Sequence, residues 1–178
     1  KKINLDNIFC KFLENLINSK NSVQEERLMF EFSSRIKSNT YKQIKTINYF
    51  KEIFFSEKMD KIFLLNDLGI LQKIIPEFSK ILDLPQFDRY HSLTVGQHTL
   101  RALNILKDLK SKKLRNNTYK FVYKILKRNE DLKPLYYSTL LHDIGKGSGD
   151  DHSKVGSRIS SKVLKRLNED NSTISETR

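Results

Sequence analysis

Apolar residues recur along this chain at intervals of three and four, the spacing that places them on one face of an α-helix. Such runs predict helices from Ser22 to about Lys37, from Ile44 to Phe54 and from Met59 to Leu68. The first run comprises Leu5, Ile8, Phe9, Phe12, Leu13, Leu16 and Ile17. No segment alternates polar and apolar residues with the period of two expected of a strand. The sequence therefore predicts an all-α fold.

Local signals mark where several of these helices begin and end. Ser22 with Glu25, and Thr94 with Gln97, have the spacing of a capping box, in which each side chain satisfies a free backbone N–H of the other residue. Gly69 follows a predicted helix and suits the left-handed conformation that closes helices. These signals favour separate helices joined by short turns.

The second half of the chain contains four further predicted segments. The helix that Thr94 opens runs to about Leu109, and a basic helix spans Thr118 to Arg128. Pro134 suits the first turn of the next helix, which carries His142 and Asp143 and stops at Gly145. A helix from Val155 to Leu167 follows, and we expect the polar residues 168–178 to be frayed.

Composition narrows the classes of protein that this chain can represent. Its formal net charge is +12, with nine Lys or Arg against Asp108 alone between Lys107 and Arg128. We interpret that stretch as a solvated basic face in preference to a nucleic-acid surface. No apolar run is long enough to cross a bilayer, and Cys10 is the only cysteine, so we expect a cytoplasmic protein without disulfides.

The four histidines lie in the second half of the chain: His91, His98, His142 and His152. His98 lies in the first turn of its helix, on the side of Ala102, Ile105 and Leu109, so we expect it to point inward. His142 and Asp143 end an apolar helix, where ionisable side chains are costly unless they are paired or bind a metal. The sequence therefore predicts a metal site formed by His98, His142 and Asp143.

Three motifs carry a resemblance to a known family. The segment Leu141–Lys146 resembles the central motif of the HD superfamily of metal-dependent phosphohydrolases, and His98 fits its upstream histidine. The segments Tyr90–Arg101 and His142–Ser153 are similar to the HD domain of the bifunctional PII uridylyltransferase/uridylyl-removing enzymes of bacterial nitrogen control. The resemblance covers about residues 50–167 and implies a helical HD-domain bundle preceded by a helical connector.

The resemblance implies roles for particular residues. His98, His142 and Asp143 would ligate a divalent cation, Mg²⁺ or Mn²⁺, with Zn²⁺ or iron as alternatives. Catalysis would depend on Asp143, on His152 as a further ligand or as a hydrogen-bond donor to phosphate or water, and on Lys146 near a substrate phosphate. A helix-end lysine paired with the helix dipole is the alternative for Lys146. The remaining candidates have plainer roles: His91 as a surface or capping residue, and Asp150 and Asp151 as helix caps.

The sequence also departs from the family pattern. A further aspartate from a later helix is expected, and nothing from Ser153 to Arg178 fits that role well. The sequence also lacks a Gly-Ser motif with paired aspartates, which nucleotidyl transfer would need. We therefore interpret the chain as an internal fragment, with a connector at 1–85, an HD domain at 86–170 and a polar tail at 171–178.

The family resemblance predicts hydrolysis of a phosphodiester, with removal of UMP from a tyrosine of the PII signal protein, which would be the partner. Two alternatives stay open. The same site would suit hydrolysis of free nucleotides, and a helical regulatory or nucleic-acid-binding module would retain the HD-like core without activity. We expect no membrane partner, and we rank nucleic acid last among partners.

Overall fold

Eleven α-helices make up the fold in a computed structural model that describes residues 4–85, 93–111, 117–149 and 151–178. Within those ranges no strand is present, which confirms the predicted all-α class. The chain divides into two compact units, residues 1–76 and 77–178. None of the described helices is both long and apolar enough to span a bilayer.

The first unit contains five α-helices: α1 (Leu5–Ile17), α2 (Val23–Phe32), α3 (Ile44–Phe55), α4 (Asp60–Asp67) and α5 (Ile70–Ile74). Helix α1 packs on α3, and both present apolar faces to one core. Its fully buried side chains include Phe9, Leu13, Phe50, Phe54, Ile62 and Leu65. The three-and-four spacing of apolar residues therefore corresponds to one buried face on each helix.

The predicted turn signals of this unit are confirmed, but one predicted helix end is wrong. The Ser22–Glu25 capping box forms, and Gly69 has a left-handed φ of 69°. Helix α2 ends at Phe32, before the predicted Lys37, and a 3₁₀ turn follows over Ser33–Arg35. Helix α2 ends here because Ser33 has other hydrogen-bond partners. Its hydroxyl donates to the Leu68 carbonyl, and its own carbonyl accepts from the Tyr41 hydroxyl.

The second unit contains the other six α-helices: α6 (Ser79–Leu82), α7 (Val95–Lys110), α8 (Asn117–Arg128), α9 (Lys133–Leu141), α10 (His152–Arg166) and α11 (Asn171–Thr177). Helix α7 packs on α6, α8 and α9, and α11 packs on α9 and α10. The basic helix and the place of Pro134 in the first turn of α9 are both confirmed.

The prediction of a frayed end after Asn168 is wrong, because residues 171–177 form α11. Asp170 caps this helix by accepting a hydrogen bond from the backbone N–H of Thr173 at 2.8 Å. Thr173, Ile174 and Thr177 are buried on one side of it. The two buried threonines contribute methyl groups to the apolar face of this helix. The buried face is therefore less polar than the amino-acid composition of the segment suggests.

Two long-range contacts brace the second unit. Arg166 donates two hydrogen bonds to the carboxylate of Glu77, at 3.0 and 2.6 Å, and so joins α10 to the start of the unit. The hydroxyl of Tyr137 in α9 donates to Glu169 at 2.6 Å. The unit begins at Glu77, before the predicted domain boundary at residue 85, and that boundary stays a prediction.

Candidate metal centre

Helix α7 holds His98 in its first turn. The Thr94–Gln97 capping box fixes the start of the helix, as predicted, and the His98 N–H donates to the Thr94 carbonyl at 2.9 Å. The Thr94 hydroxyl also donates to the Leu82 carbonyl at 2.6 Å. The start of α7 is therefore tied to the end of α6, and His98 has a defined position.

A close backbone approach explains the glycine two residues before His98. A Cβ atom on Gly96 would lie 2.6 Å from the Cα of Leu82 and 2.9 Å from its carbonyl oxygen. Both contacts are shorter than carbon and oxygen atoms tolerate, so any side chain here would push α7 away from α6. Gly96 thereby sets how deep the first turn of α7 lies in the unit.

His98 does not lie on the core-facing stripe of α7, and this corrects the prediction. The buried face of the helix is formed by Val95, Gly96, Thr99, Leu100, Leu103, Leu106 and Lys107. Ile105, which was expected beside His98 in the core, is 43% exposed. The half-buried His98 therefore lies on the flank of α7. Its ring is supported by the core and still accessible to a ligand.

His142 and Asp143 follow α9 and do not lie within it as predicted. The helix ends at Leu141, and His142–Gly147 form a series of tight turns. In these turns the Ile144 N–H donates to the Leu141 carbonyl and the Lys146 N–H to the Asp143 carbonyl, three residues earlier in each case. Such contacts commonly tighten a helix end, where carbonyl groups lack partners four residues on.

The structure brings the three predicted ligands together. One candidate ligand atom from each of His98, His142 and Asp143 lies within 4.8 Å of both others. The ring centroids of the two histidines are 5.6 Å apart, with 63° between the ring planes. Donor atoms about 2.1 Å from a shared ion are separated by about 3 to 4.2 Å. The cluster thus needs only a small closure around an ion.

The contacts of His142 explain why a cation fits this cluster. Its Nδ1 lies 2.9 Å from the carbonyl oxygen of Thr139, which only accepts hydrogen bonds, so Nδ1 carries the proton. In the neutral ring Nε2 then presents a lone pair, and it lies 3.2 Å from Oδ2 of Asp143. Two acceptors facing each other at this distance are stabilised by a cation between them.

Lys146 supplies positive charge at the same carboxylate. Its Nζ lies 2.9 Å from Oδ2 of Asp143, while the Asp143 side chain is only 11% exposed. The Lys146 side chain is 34% exposed, so it is partly open to solvent. This position, beside the ligand cluster and open to solvent, suits contact with an anionic substrate.

Gly145 lets the turn that carries His142 and Asp143 pack against the start of α10. A Cβ atom on Gly145 would lie 2.2 Å from the His152 carbonyl oxygen and 2.6 Å from the Gly156 nitrogen. This contact between the two backbones fixes the position of His152. The His152 side chain is exposed and is not among the three clustered ligands of the described residues.

The other candidate residues have plainer roles. Asp151 caps α10, as predicted, and hydrogen bonds from the backbone and side chain of Lys154 hold the pKa of Asp151 below its ordinary value. Asp170 binds the backbone and the hydroxyl of Thr173, which leaves it in a capping role. His91 and Asp150 lie outside the described residues.

Comparison of the sequence with known protein families agrees with this site and this fold. Residues 90–177 match the family model of the HD domain, a match that contains the whole ligand cluster. This part of the chain is therefore an HD domain, the class of metal-dependent domain that the paired histidine and aspartate define.

Two relatives contain a segment similar to this chain. The bifunctional uridylyltransferase/uridylyl-removing enzyme of Ruegeria pomeroyi is 42% identical over 103 residues, which are 58% of this chain and 11% of that protein. The enzyme of the same name from Azospirillum brasilense is 37% identical over 123 residues, 66% of this chain and 13% of that protein. The chain therefore corresponds to a small internal part of these relatives.

Several features of the site were not predicted from the sequence. The carbonyl of Thr139 orients His142, a contact that the sequence pattern did not reveal. The contact between Gly145 and the start of α10 was also missed. The glycines at positions 145 and 156 were the sequence signal from which this close backbone contact could have been predicted.

Proposed function

We propose that this HD domain hydrolyses a phosphodiester with the help of a divalent cation, and that its substrate is the uridylylated PII protein. The observation that supports the proposal most is the convergence of His98, His142 and Asp143 from two separate segments. The names of the two relatives support the choice of a uridylyl group as the part removed.

The donor set fits a divalent cation, for which we propose Mg²⁺ or Mn²⁺. Two imidazole nitrogens and one carboxylate oxygen are the ligand atoms, and Thr139 orients one of the imidazoles. A cation held there supplies Lewis acidity toward a phosphoryl oxygen and activates water for attack. We further propose that a later aspartate in the longer protein completes the ligand set.

Two side chains beside the metal centre, Lys146 and His152, are placed to contact the substrate phosphate. Lys146 is held beside Asp143 at 2.9 Å and its side chain is partly exposed, so it can balance negative charge that develops on phosphate oxygens. His152 begins α10, next to the turn that carries Asp143, and we propose that it donates to phosphate or water from there. Asp143 has a structural part as well, since it positions Lys146.

Binding of Mn²⁺ to the 178-residue chain, measured by calorimetry, tests the metal centre. The variant Asp143→Asn should weaken binding at least ten-fold, because it removes the only carboxylate of the cluster. Asp83→Asn removes an exposed carboxylate in the same unit and should bind as the parent does. Equal affinity of Asp143→Asn and the parent would reject the metal centre.

Substrate choice needs a second experiment, with a longer protein that contains this domain. Release of UMP from uridylylated PII should require Mg²⁺ or Mn²⁺ and should be lost in Asp143→Asn. A panel of free nucleotides serves as the comparison. Turnover of free nucleotides alone would reject uridylyl removal and favour the nucleotide phosphohydrolase alternative.

We also propose that this reaction takes place in the cytoplasm.

A further inference from the structure

A groove between α10 and α11 collects positive charge outside the metal centre. It encloses about 390 Å³, a volume in the range of small-molecule sites. Its lining residues include three cations, three small polar side chains and one apolar side chain: Arg158, Lys165, Arg178, Ser161, Asn171, Ser175 and Ile174. None of the lining residues is acidic.

The groove follows from the helical spacing of these residues. Arg158, Ser161 and Lys165 are three, four and seven residues apart, so they share one face of α10. Asn171, Ser175 and Arg178 share one face of α11 for the same reason. The Nε of Arg178 donates to the hydroxyl of Ser157 at 3.2 Å, which ties the end of α11 to α10. The two polar columns therefore face a common space.

Within the described part of the chain, the cations of the groove differ from their neighbours in forming no ion pair with a carboxylate. On the same helix Lys154 pairs with Asp151, and Arg166 pairs with Glu77. Among the described residues, no carboxylate forms an ion pair with Arg158, Lys165 or Arg178. Three like charges held around one groove repel each other, and an anion among them relieves that repulsion.

We propose that this groove binds a small phosphorylated ligand. Arginine guanidinium groups donate paired hydrogen bonds to phosphate oxygens, and the lysine adds a third charge. The amide of Asn171 supplies a further donor, while the buried Ile174 forms an apolar floor. The groove begins six residues after His152 on α10, about 9 Å along the helix axis. Its lining includes none of the three clustered ligands and neither Lys146 nor His152, so it is a site separate from the metal centre.

Titration of the metal-free 178-residue chain with inorganic pyrophosphate tests the proposal. Chelator keeps the metal centre empty, and amide NMR signals report binding residue by residue. We expect shifts centred on Ser161, Asn171 and Ser175. The double variant Arg158→Gln with Arg178→Gln should weaken binding at least ten-fold.

Two controls separate a built site from general attraction to a basic protein. Lys162→Gln removes the same charge from α10 but lies outside the groove, so its affinity should match that of the parent. Arg158→Lys keeps the charge and should retain most of the binding. An equal loss in Lys162→Gln, or no loss in the double variant, would overturn the proposal. Because metal is absent throughout, the result does not depend on the proposed hydrolase activity.

Discussion

The Nδ1 atom of His142 lies 2.9 Å from the carbonyl oxygen of Thr139, three residues earlier in the last turn of α9. A carbonyl only accepts, so this contact assigns the ring proton to Nδ1 and leaves Nε2 for the cluster. The end of a helix, where carbonyls lack intrahelical partners, thereby orients a candidate metal ligand.

This contact predicts the tautomer of His142 in the metal-loaded protein. With Zn²⁺ as a diamagnetic probe, nitrogen-15 NMR should show a proton on Nδ1 of His142 and a ligated Nε2. The expectation follows because the hydrogen bond to Thr139 orients the ring without competing for the metal. A spectrum with the proton on Nε2 would contradict the assignment.

Gly145→Ala should destabilise the second unit by about 1–3 kcal/mol or more, because overpacking forces backbone shifts. The added methyl group would lie 2.2 Å from the His152 carbonyl oxygen. Gly156→Ala is the matched control, since its added methyl group would meet Gly145 only at 3.6 Å, an ordinary contact. Urea unfolding of the two variants measures the difference, and equal stabilities would show that the backbones are not in contact.

Glu77→Gln should lower stability at neutral pH by about 1–3 kcal/mol, since it removes the charge that Arg166 binds. Burial opposes ionisation of Glu77, but hydrogen bonds and charge from Arg166 prevail and hold the pKa of Glu77 below its ordinary 4.5. The contribution of the ion pair is therefore complete above pH 4.5 and is lost as the pH falls through the lowered pKa.

Acid unfolding curves check this prediction. The parent should lose stability more steeply than Glu77→Gln as the pH is lowered below 4.5. Glu130→Gln, which alters an exposed carboxylate of the same unit, should retain the parent's curve. Parallel curves for the parent and Glu77→Gln would mean that the ion pair contributes no pH-dependent stability.

Tyr137→Phe should cost about 1–2 kcal/mol of unfolding free energy, because the buried hydroxyl donates to Glu169 at 2.6 Å. Burial, and then the hydrogen bond and charge of Glu169, raise the pKa of Tyr137 well above its ordinary value of 10.0. The phenol therefore remains a donor at every pH at which the protein works. Tyr49→Phe, in the other unit, is the control, and a neutral Tyr137→Phe would show that this bond adds nothing.

The sequence by itself determined most of the helices and singled out His98, His142 and Asp143 as candidate metal ligands. Helix starts such as Ser22 and Thr94 depend on partners three residues away, and buried stripes depend on the three-and-four spacing. Both are local properties of the chain, so pattern and spacing were sufficient. Likewise His142 and Asp143 stood out because ionisable residues rarely end an apolar helix without a partner.

Tertiary structure alone decided where those elements stop and how the ligands face each other. Leu141 ends α9 because the following turns pack on α10 through Gly145, and residues 171–177 become helical by burying Ile174 and two threonines. His98 lies on the flank of α7, since the core contacts residues one position later in each turn, such as Thr99 and Leu103. These outcomes depend on contacts between residues far apart in the chain, such as Arg166 with Glu77, and such contacts leave no periodic signal in the sequence.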